Sequence, residues 1–324
     1  MATFSNCSLQ SIQQAALALY KGNLVAFPTE TVYGLGADAT NEKAIARVYE
    51  VKARPSGHPL IVHISDISLL DKWASDVSES AIKLARAFWP GPMTLVLPRT
   101  NLAKDFITGS QDNVALRIPS HPVALELLKE FEKQGGFGVA APSANRFGKL
   151  SPTTAAAVEM ELGKFLSNAD QILDGGASKV GVESTIIDCT SVLPVILRPG
   201  AVTIEMVEEV LGIELDLGSA PNKEIKAPGM LASHYSPNAK VYLSGAPSYD
   251  DGYIALSDLP TPAGAIRLAS PKDNEEYAQI LYESLRSADS KCLKRIFVVP
   301  PDNQGIGLAI NDRLARAASH SPFI

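Results

Sequence analysis

Short apolar runs alternate with segments of helical period along the first two thirds of the chain, which is the pattern of an α/β fold. Leu9–Tyr20 reads as a helix that stops near Gly22, and the apolar run Leu24–Phe27 after it reads as a strand. A second helix, Glu42–Val51, leads through a loop to the strand Leu60–Ile64. Strands at Met93–Leu97, Val114–Ile118, Phe137–Ala141, Ser184–Cys189 and Val195–Leu197 are separated by helices near Ser80–Trp89, Val123–Lys133 and Thr153–Leu162. Together they supply one sizeable sheet. Trp89-Pro90-Gly91-Pro92 ends its helix, because Pro92 lacks an amide donor and Pro90 disfavours helical geometry at Trp89.

The pattern changes beyond residue 211. Residues 218–237 have no sustained period and contain Pro221, Pro228, Gly229 and Pro237, so they read as a long connector, a feature that in compact proteins often carries function. After it, strands at Lys240–Leu243, Gly252–Leu256, Ala265–Leu268 and Arg295–Val299, with helices near Glu275–Ser287 and Gly307–Ala318, form a second, smaller α/β unit. The expected division is 1–211, a connector 212–238, and 239–324.

Composition agrees with two folded units. The 324 residues exceed the ~100–200 of one domain. A hydrophobic fraction of 46% with 20% charged residues is far from the signature of disorder. Against 35 Asp and Glu stand 29 Lys and Arg, a net charge of −6, which argues against a general positive field for nucleic acid. Residues 1–200 are nearly balanced, with 18 cations and 19 anions, so local positive charge for an anionic ligand can concentrate there. Cys7, Cys189 and Cys292 form no C-x-x-C, and no apolar run reaches the ~18 residues of a membrane span. A reducing cytoplasm is the expected location.

Several short motifs carry candidate chemistry. Pro28-Thr29-Glu30-Thr31-Val32-Tyr33-Gly34-Leu35-Gly36 joins hydroxyls, a carboxylate and glycines that let backbone amides approach a ligand. Gly34-x-Gly36-x-x-Ala39 also matches a loose dinucleotide fingerprint, although the glycines fall several residues past the strand. Lys52 and Arg54, in a loop stiffened by Pro55 and Pro59, make a compact cationic segment suited to phosphate oxygens; a solvated basic loop is the plain alternative. His63 lies in an alternating strand, where a half-buried structural histidine is the plain reading, and the histidines show no metal spacing.

Pro142-Ser143-Ala144-Asn145-Arg146 supplies a hydroxyl, an amide and a guanidinium at a strand's carboxyl end, where open α/β sheets bind ligands. No G-x-S-x-G surrounds Ser143 and no Walker A sequence is present, so neither a nucleophilic serine nor a P-loop is indicated. Ser151-Pro152-Thr153-Thr154 reads as a helix cap. Gly181-Val182-Glu183-Ser184-Thr185 enters a strand and Leu197-Arg198-Pro199-Gly200 leaves one.

In sequence and order these motifs, with Lys52-x-Arg54-Pro55, His58-Pro59-Leu60, Trp89-Pro90-Gly91, Arg117-x-Pro119 and Ser184-Thr185, resemble the YrdC-like family. Ser233-His234-Tyr235-Ser236-Pro237 in the connector and the small second unit resemble its two-domain threonylcarbamoyl-AMP synthases. The resemblance covers almost the whole chain. It implies a large twisted open mixed sheet plus a small Rossmann-like α/β domain. The implied reaction converts L-threonine, bicarbonate and ATP into threonylcarbamoyl-AMP and pyrophosphate. A separate transferase then modifies tRNA, and contact of this chain with tRNA is at most weak.

By similarity Thr31, His63, Arg117, Ala141 and Ser184 fall at threonine-contacting positions. Arg54, His58, Asn113, Ser143, Ser151, Arg198 and Tyr235 fall at ATP-contacting positions, with Lys52 and Asn145 in the same signature; Asn113 is placed only by its spacing from Arg117. A carbamate of threonine attacking the α-phosphate gathers anions, so Lys52, Arg54 and Arg198, with Mg²⁺ on the triphosphate, are expected to supply positive charge, with no protein nucleophile and no protein-held metal. The connector is expected to close over the site as a lid. The competing readings are an RNA-binding module using the same basic loop and a nicotinamide enzyme built on Gly34 and Gly36.

Overall fold

The computed structural model describes residues 3–215 and 235–319, so most of the expected lid, with Ser233 and His234, lies outside the described residues. Ten strands form one sheet: β1 (Thr3–Asn6), β2 (Val25–Phe27), β3 (Gly34–Asp38), β4 (Ile61–His63), β5 (Met93–Pro98), β6 (Asn113–Arg117), β7 (Val139–Ala140), β8 (Gln171–Asp174), β9 (Thr185–Asp188) and β10 (Val195–Arg198). Their spatial order is β1-β8-β2-β3-β7-β4-β6-β5-β9-β10, with parallel and antiparallel pairs mixed. A second sheet pairs β11 (Lys240–Tyr242), β12 (Gly252–Ile254), β13 (Ile266–Ala269) and β14 (Arg295–Val298) in the order β11-β14-β12-β13, all parallel. This is the mixed sheet plus small α/β unit that the family resemblance implies.

Helices begin where short polar side chains satisfy the free amides of a first turn. Ser8 caps α1 (Leu9–Tyr20), Asn41 caps α2 (Glu42–Lys52) and Thr154 accepts from the Ala157 amide at the start of Ala155–Leu162. The helices divide the faces of the large sheet unequally. Val62, Leu95, Leu116 and Ile187 point into the main core. On the opposite face α1 and the helix Pro122–Lys133 cover Val25, Phe27, Val139, Ala141 and Leu173. Side chains two apart share a face, so Ile61 with His63, Ala115 with Arg117, and Ser184 with Ile186 line the rest of this face, where helix cover ends.

Several elements differ from the sequence reading, among them β1 and the short helices Leu70–Trp73 and Asp105–Thr108, which were not anticipated. Gly34–Asp38 is a strand and not the turn of a dinucleotide site. Its glycine is a packing requirement, since a methyl on Gly36 would lie 2.8 Å from both the Phe27 ring and Val139. Gln171–Asp174 and the helix Ile204–Leu211 were not anticipated. Among the described residues no helix is long and apolar enough to cross a membrane.

Between α2 and the second unit come α3 (Leu70–Trp73), α4 (Glu79–Phe88), α5 (Asp105–Thr108), α6 (Pro122–Lys133), α7 (Ala155–Leu162) and α8 (Ile204–Leu211), and the second unit packs its helices α9 (Asn274–Ser290) and α10 (Gly307–Ala318) against the first. Tyr277, Leu281, Tyr282, Ile310 and Leu314 share one apolar cluster with Val32, Leu150, Val182 and Tyr235.

Candidate active site

The uncovered face forms a cleft, open to solvent at its mouth, with about 630 Å³ of empty space when that open mouth is included. Its lining includes Thr31, Lys52, Arg54, His63, Arg117, Ala141, Ser143, Ser184, Arg198 and Tyr235. Residues drawn from positions 31 to 235 thus converge. The cleft lies on a sheet face and not along a common carboxyl edge, because neighbouring strands here run in both directions.

At one end the turn after β2 is tied by Thr29, whose Oγ1 donates to the Val32 carbonyl at 2.6 Å and accepts from the Thr31 and Val32 amides. This presents Thr31 to Arg117, whose Nη1 donates to its Oγ1 at 2.9 Å. Arg117 Nη2 donates to Glu30 Oε1 at 2.6 Å, Nε donates to the Gly91 carbonyl, and the other Glu30 oxygen accepts from the Ser120 amide. Both members of the ion pair are nearly buried, at 5% and 8% side-chain exposure, so Arg117 is held in one orientation by a charge the water cannot screen.

His63 pairs with Arg117 across β4 and β6. Burial, then Arg117, pushes its pKa down to about 3, so the imidazole is neutral at physiological pH. Its Nδ1 takes no hydrogen-bond partner among the described residues. A ring of such low basicity suits a polar contact better than proton abstraction.

The other end is cationic. Lys52 ends α2 and donates from Nζ to the Ser143 and Asn145 carbonyls at 2.5 and 2.6 Å, while Ser143 Oγ donates to Asn145 Oδ1. Lys52 therefore clamps the segment that carries Ser143. Burial, then Arg54, holds its pKa well below the usual lysine value. Arg54, lowered to about 10 by burial, remains cationic; it donates to the Pro59 carbonyl and faces the Phe147 ring at 5.7 Å. Its Nε has no partner among the described residues.

Arg198 follows a register shift in β10, a device that re-aims a side chain. Its Nε and Nη2 donate to the Ser184 carbonyl at 3.0 and 2.9 Å, and Nη2 also reaches Ser184 Oγ. Ser184 Oγ shares a further hydrogen bond with Thr94. Tyr235, 1% exposed, adopts a left-handed backbone with φ 63°, a conformation that costs a non-glycine residue energy and therefore needs surrounding contacts.

Four residues named from the sequence do not line the cleft. His58 sits behind Phe147, with ring centres 5.5 Å apart; burial and then Arg54 lower its pKa, favouring the neutral imidazole. Asn145 braces the Ser143 segment by donating to the Arg146 and Lys149 carbonyls. Ser151 is not the helix cap, which is Thr154; it donates to Glu183 at 2.5 Å. Asn113 opens β6 opposite Pro98.

Sequence reading missed Glu183, which lines the cleft, as well as the pairing role of Glu30. Burial works to raise the Glu183 carboxyl, but Arg313 and Arg198 outweigh it and hold its pKa near about 2. The strand-like flanks of Glu183 signal its burial, but its partners lie too far along the chain to be seen. No group of three or more His, Cys, Asp or Glu that could hold a metal ion occurs among the described residues. The wall carries four buried basic side chains and one carboxylate, Glu183, with Glu30 paired to Arg117 beside it, a surplus of positive charge suited to an anionic ligand.

A family model described as "Telomere recombination" matches residues 17–200, and one described as "Threonylcarbamoyl-AMP synthase, C-terminal domain" matches residues 202–319. The threonylcarbamoyl-AMP synthase of Pyrococcus abyssi is 39% identical, covering 95% of this chain and 94% of its own length. The threonylcarbamoyl-AMP synthase of Bacillus subtilis is 41% identical, covering 95% and 92%. The crystal structure of P. abyssi Sua5 complexed with L-threonine superposes with a TM-score of 0.88 at 36% identity, over 99% of this chain and 98% of that one.

Proposed function

The chain belongs to the two-domain threonylcarbamoyl-AMP synthase family, and from that premise we propose how its cleft joins L-threonine, bicarbonate and ATP into L-threonylcarbamoyladenylate, releasing pyrophosphate. The enzyme is a transferase that makes an AMP-linked intermediate of tRNA modification. The observation that carries the assignment of substrates to the cleft is its division into a Thr31–Arg117–His63 end and a Lys52–Arg54–Arg198 end.

Threonine's carboxylate lies against Arg117, which uses three of its five N–H groups on Gly91, Thr31 and Glu30. Thr31, Ser184 and neutral His63 read the hydroxyl and amine, with Ala141 against the methyl. Arg54 and Arg198 hold the triphosphate of MgATP, the magnesium arriving with the nucleotide, and Lys52 adds its charge from behind the Ser143 segment. Ser143 and Tyr235 border the nucleotide. The threonine amine and bicarbonate condense to a carbamate with loss of water. A carbamate oxygen then attacks the α-phosphorus as the bond to pyrophosphate breaks. The protein's contribution is orientation and fixed positive charge, without a covalent intermediate. The product passes, in the cytoplasm, to a transferase that acts on tRNA.

Substrate replacement tests this arrangement. Serine lacks only the methyl and should lose about 10–200-fold in efficiency, the range an apolar contact gives. Valine leaves the polar groups unpaired and should lose at least ~10⁴-fold. Equal turnover of valine and threonine in a pyrophosphate-release assay would refute hydroxyl readout.

A further inference from the structure

Where α9 and α10 meet the cleft wall, a buried polar cluster joins the two units. Glu183 accepts hydrogen bonds from Ser151 Oγ at 2.5 Å, from Tyr282 at 2.9 and 3.1 Å, and from Arg313 Nε at 2.9 Å. The Arg313 side chain is fully buried and Glu183 is 8% exposed. Arg313 Nη1 is held by Asp312 at 2.6 Å, and Asp312 is held in turn by Arg316. The Tyr235 ring lies 5.7 Å from the Tyr282 ring and 5.5 Å from the Arg313 guanidinium carbon.

We propose that Arg313, supplied by the second unit, is a positioning residue for the nucleotide end of the cleft: by neutralising Glu183 it keeps Arg198 directed at Ser184 and fixes Ser151 and Tyr235. The inference rests on the assignment of Arg198 and Tyr235 to ATP given above. Two guanidinium groups act on Glu183, those of Arg313 and Arg198. Removing Arg313 leaves a buried carboxylate without its hydrogen-bonded counter-ion, a costly state that the remaining cation relieves by turning toward it. Arg198 follows Ser184, the neighbour of Glu183, through three hydrogen bonds, so a small rotation suffices to withdraw it from the cleft. Ser151 would lose its fixed acceptor geometry, and Tyr235, whose left-handed backbone depends on its surroundings, would lose the cation at its ring face. A second domain thereby enters the chemistry of a cleft to which α10 contributes no lining residue.

The test is equilibrium binding of a non-hydrolysable MgATP analogue and of threonine, by calorimetry, to the full chain and to Arg313→Met, Arg313→Lys, Arg198→Ala and the double variant Arg313→Met/Glu183→Gln. Arg313→Met should weaken nucleotide at least about tenfold and threonine, which meets the same displacement only at Ser184, by no more than about threefold. The lysine variant, which keeps the charge and loses the fork, should lose about threefold. The double variant removes the orphaned charge and should regain most of the nucleotide affinity. If Arg313→Met does not fold, the lysine and double variants carry the same comparison. Weak nucleotide binding by Arg198→Ala with unchanged binding by the Arg313 variants overturns this inference alone. Unchanged binding by Arg198→Ala overturns the assignment of the nucleotide end, and the inference with it. A merely structural role would lower the melting temperature while leaving both affinities unchanged, or weaken both ligands equally, and either result also refutes the proposal.

Discussion

Glu30 decides what Arg117 can do. Without the carboxylate, the guanidinium would keep Thr31 and the Gly91 carbonyl but lose the charge that locks its plane. Glu30→Gln should raise the KM for threonine by about tenfold, the weight of one charge-assisted hydrogen bond, and leave the KM for ATP within about twofold. Steady-state kinetics with each substrate varied separately checks this. His63 gives a pH dependence whose sign follows from its environment. Its pKa is 6.5 unfolded and about 3 folded, so the unfolded chain binds more protons between these values. The stability it contributes is complete above pH 6.5 and falls as pH drops toward 3, by about 2 kcal/mol at pH 5. Glu183, with a folded pKa near about 2, adds to this loss as pH falls below 4.5. Urea denaturation from pH 7 to 5 should show the slope, and His63→Asn should flatten it. Single residues were legible where a local motif carried them, as with Thr31, Lys52 and Ser143. Glu30 and Glu183 were not singled out, because what defines them is a partner 87 or 130 positions away.

At the scale of elements, hydrophobic period located most helices to within a residue or two; Leu9–Tyr20 and Gly307–Ala318 match in full. The failure at β3 has a physical cause. β3 reads Gly-Leu-Gly-Ala-Asp, and a strand threaded between two others through glycines has no alternating pattern to detect. The same glycines produced the loose dinucleotide match. If packing explains them, Gly36→Ala should lower stability by about 1–3 kcal/mol, as overfilling a core does. Wild-type protein should show no shift in melting temperature with NAD, whereas a nicotinamide site would stabilise it in proportion to ligand bound. Thermal melts in the presence and absence of NAD separate the two.

For the whole molecule, the sequence made the two α/β units and the order of motifs legible. It hid the interplay of the units, because α9 and α10 reach the cleft wall only through tertiary packing of Tyr282 and Arg313 onto Glu183. The central claim, that one cleft holds threonine at its Arg117 end and ATP at its Arg198 end and joins them through bicarbonate, is tested most directly by its product. Pyrophosphate release from MgATP should require both threonine and bicarbonate when each is omitted in turn. Mass spectrometry should then show an adenylate carrying threonine and one added carboxyl carbon. Release that persists without threonine or bicarbonate, or a nucleotide product lacking either component, would contradict the account.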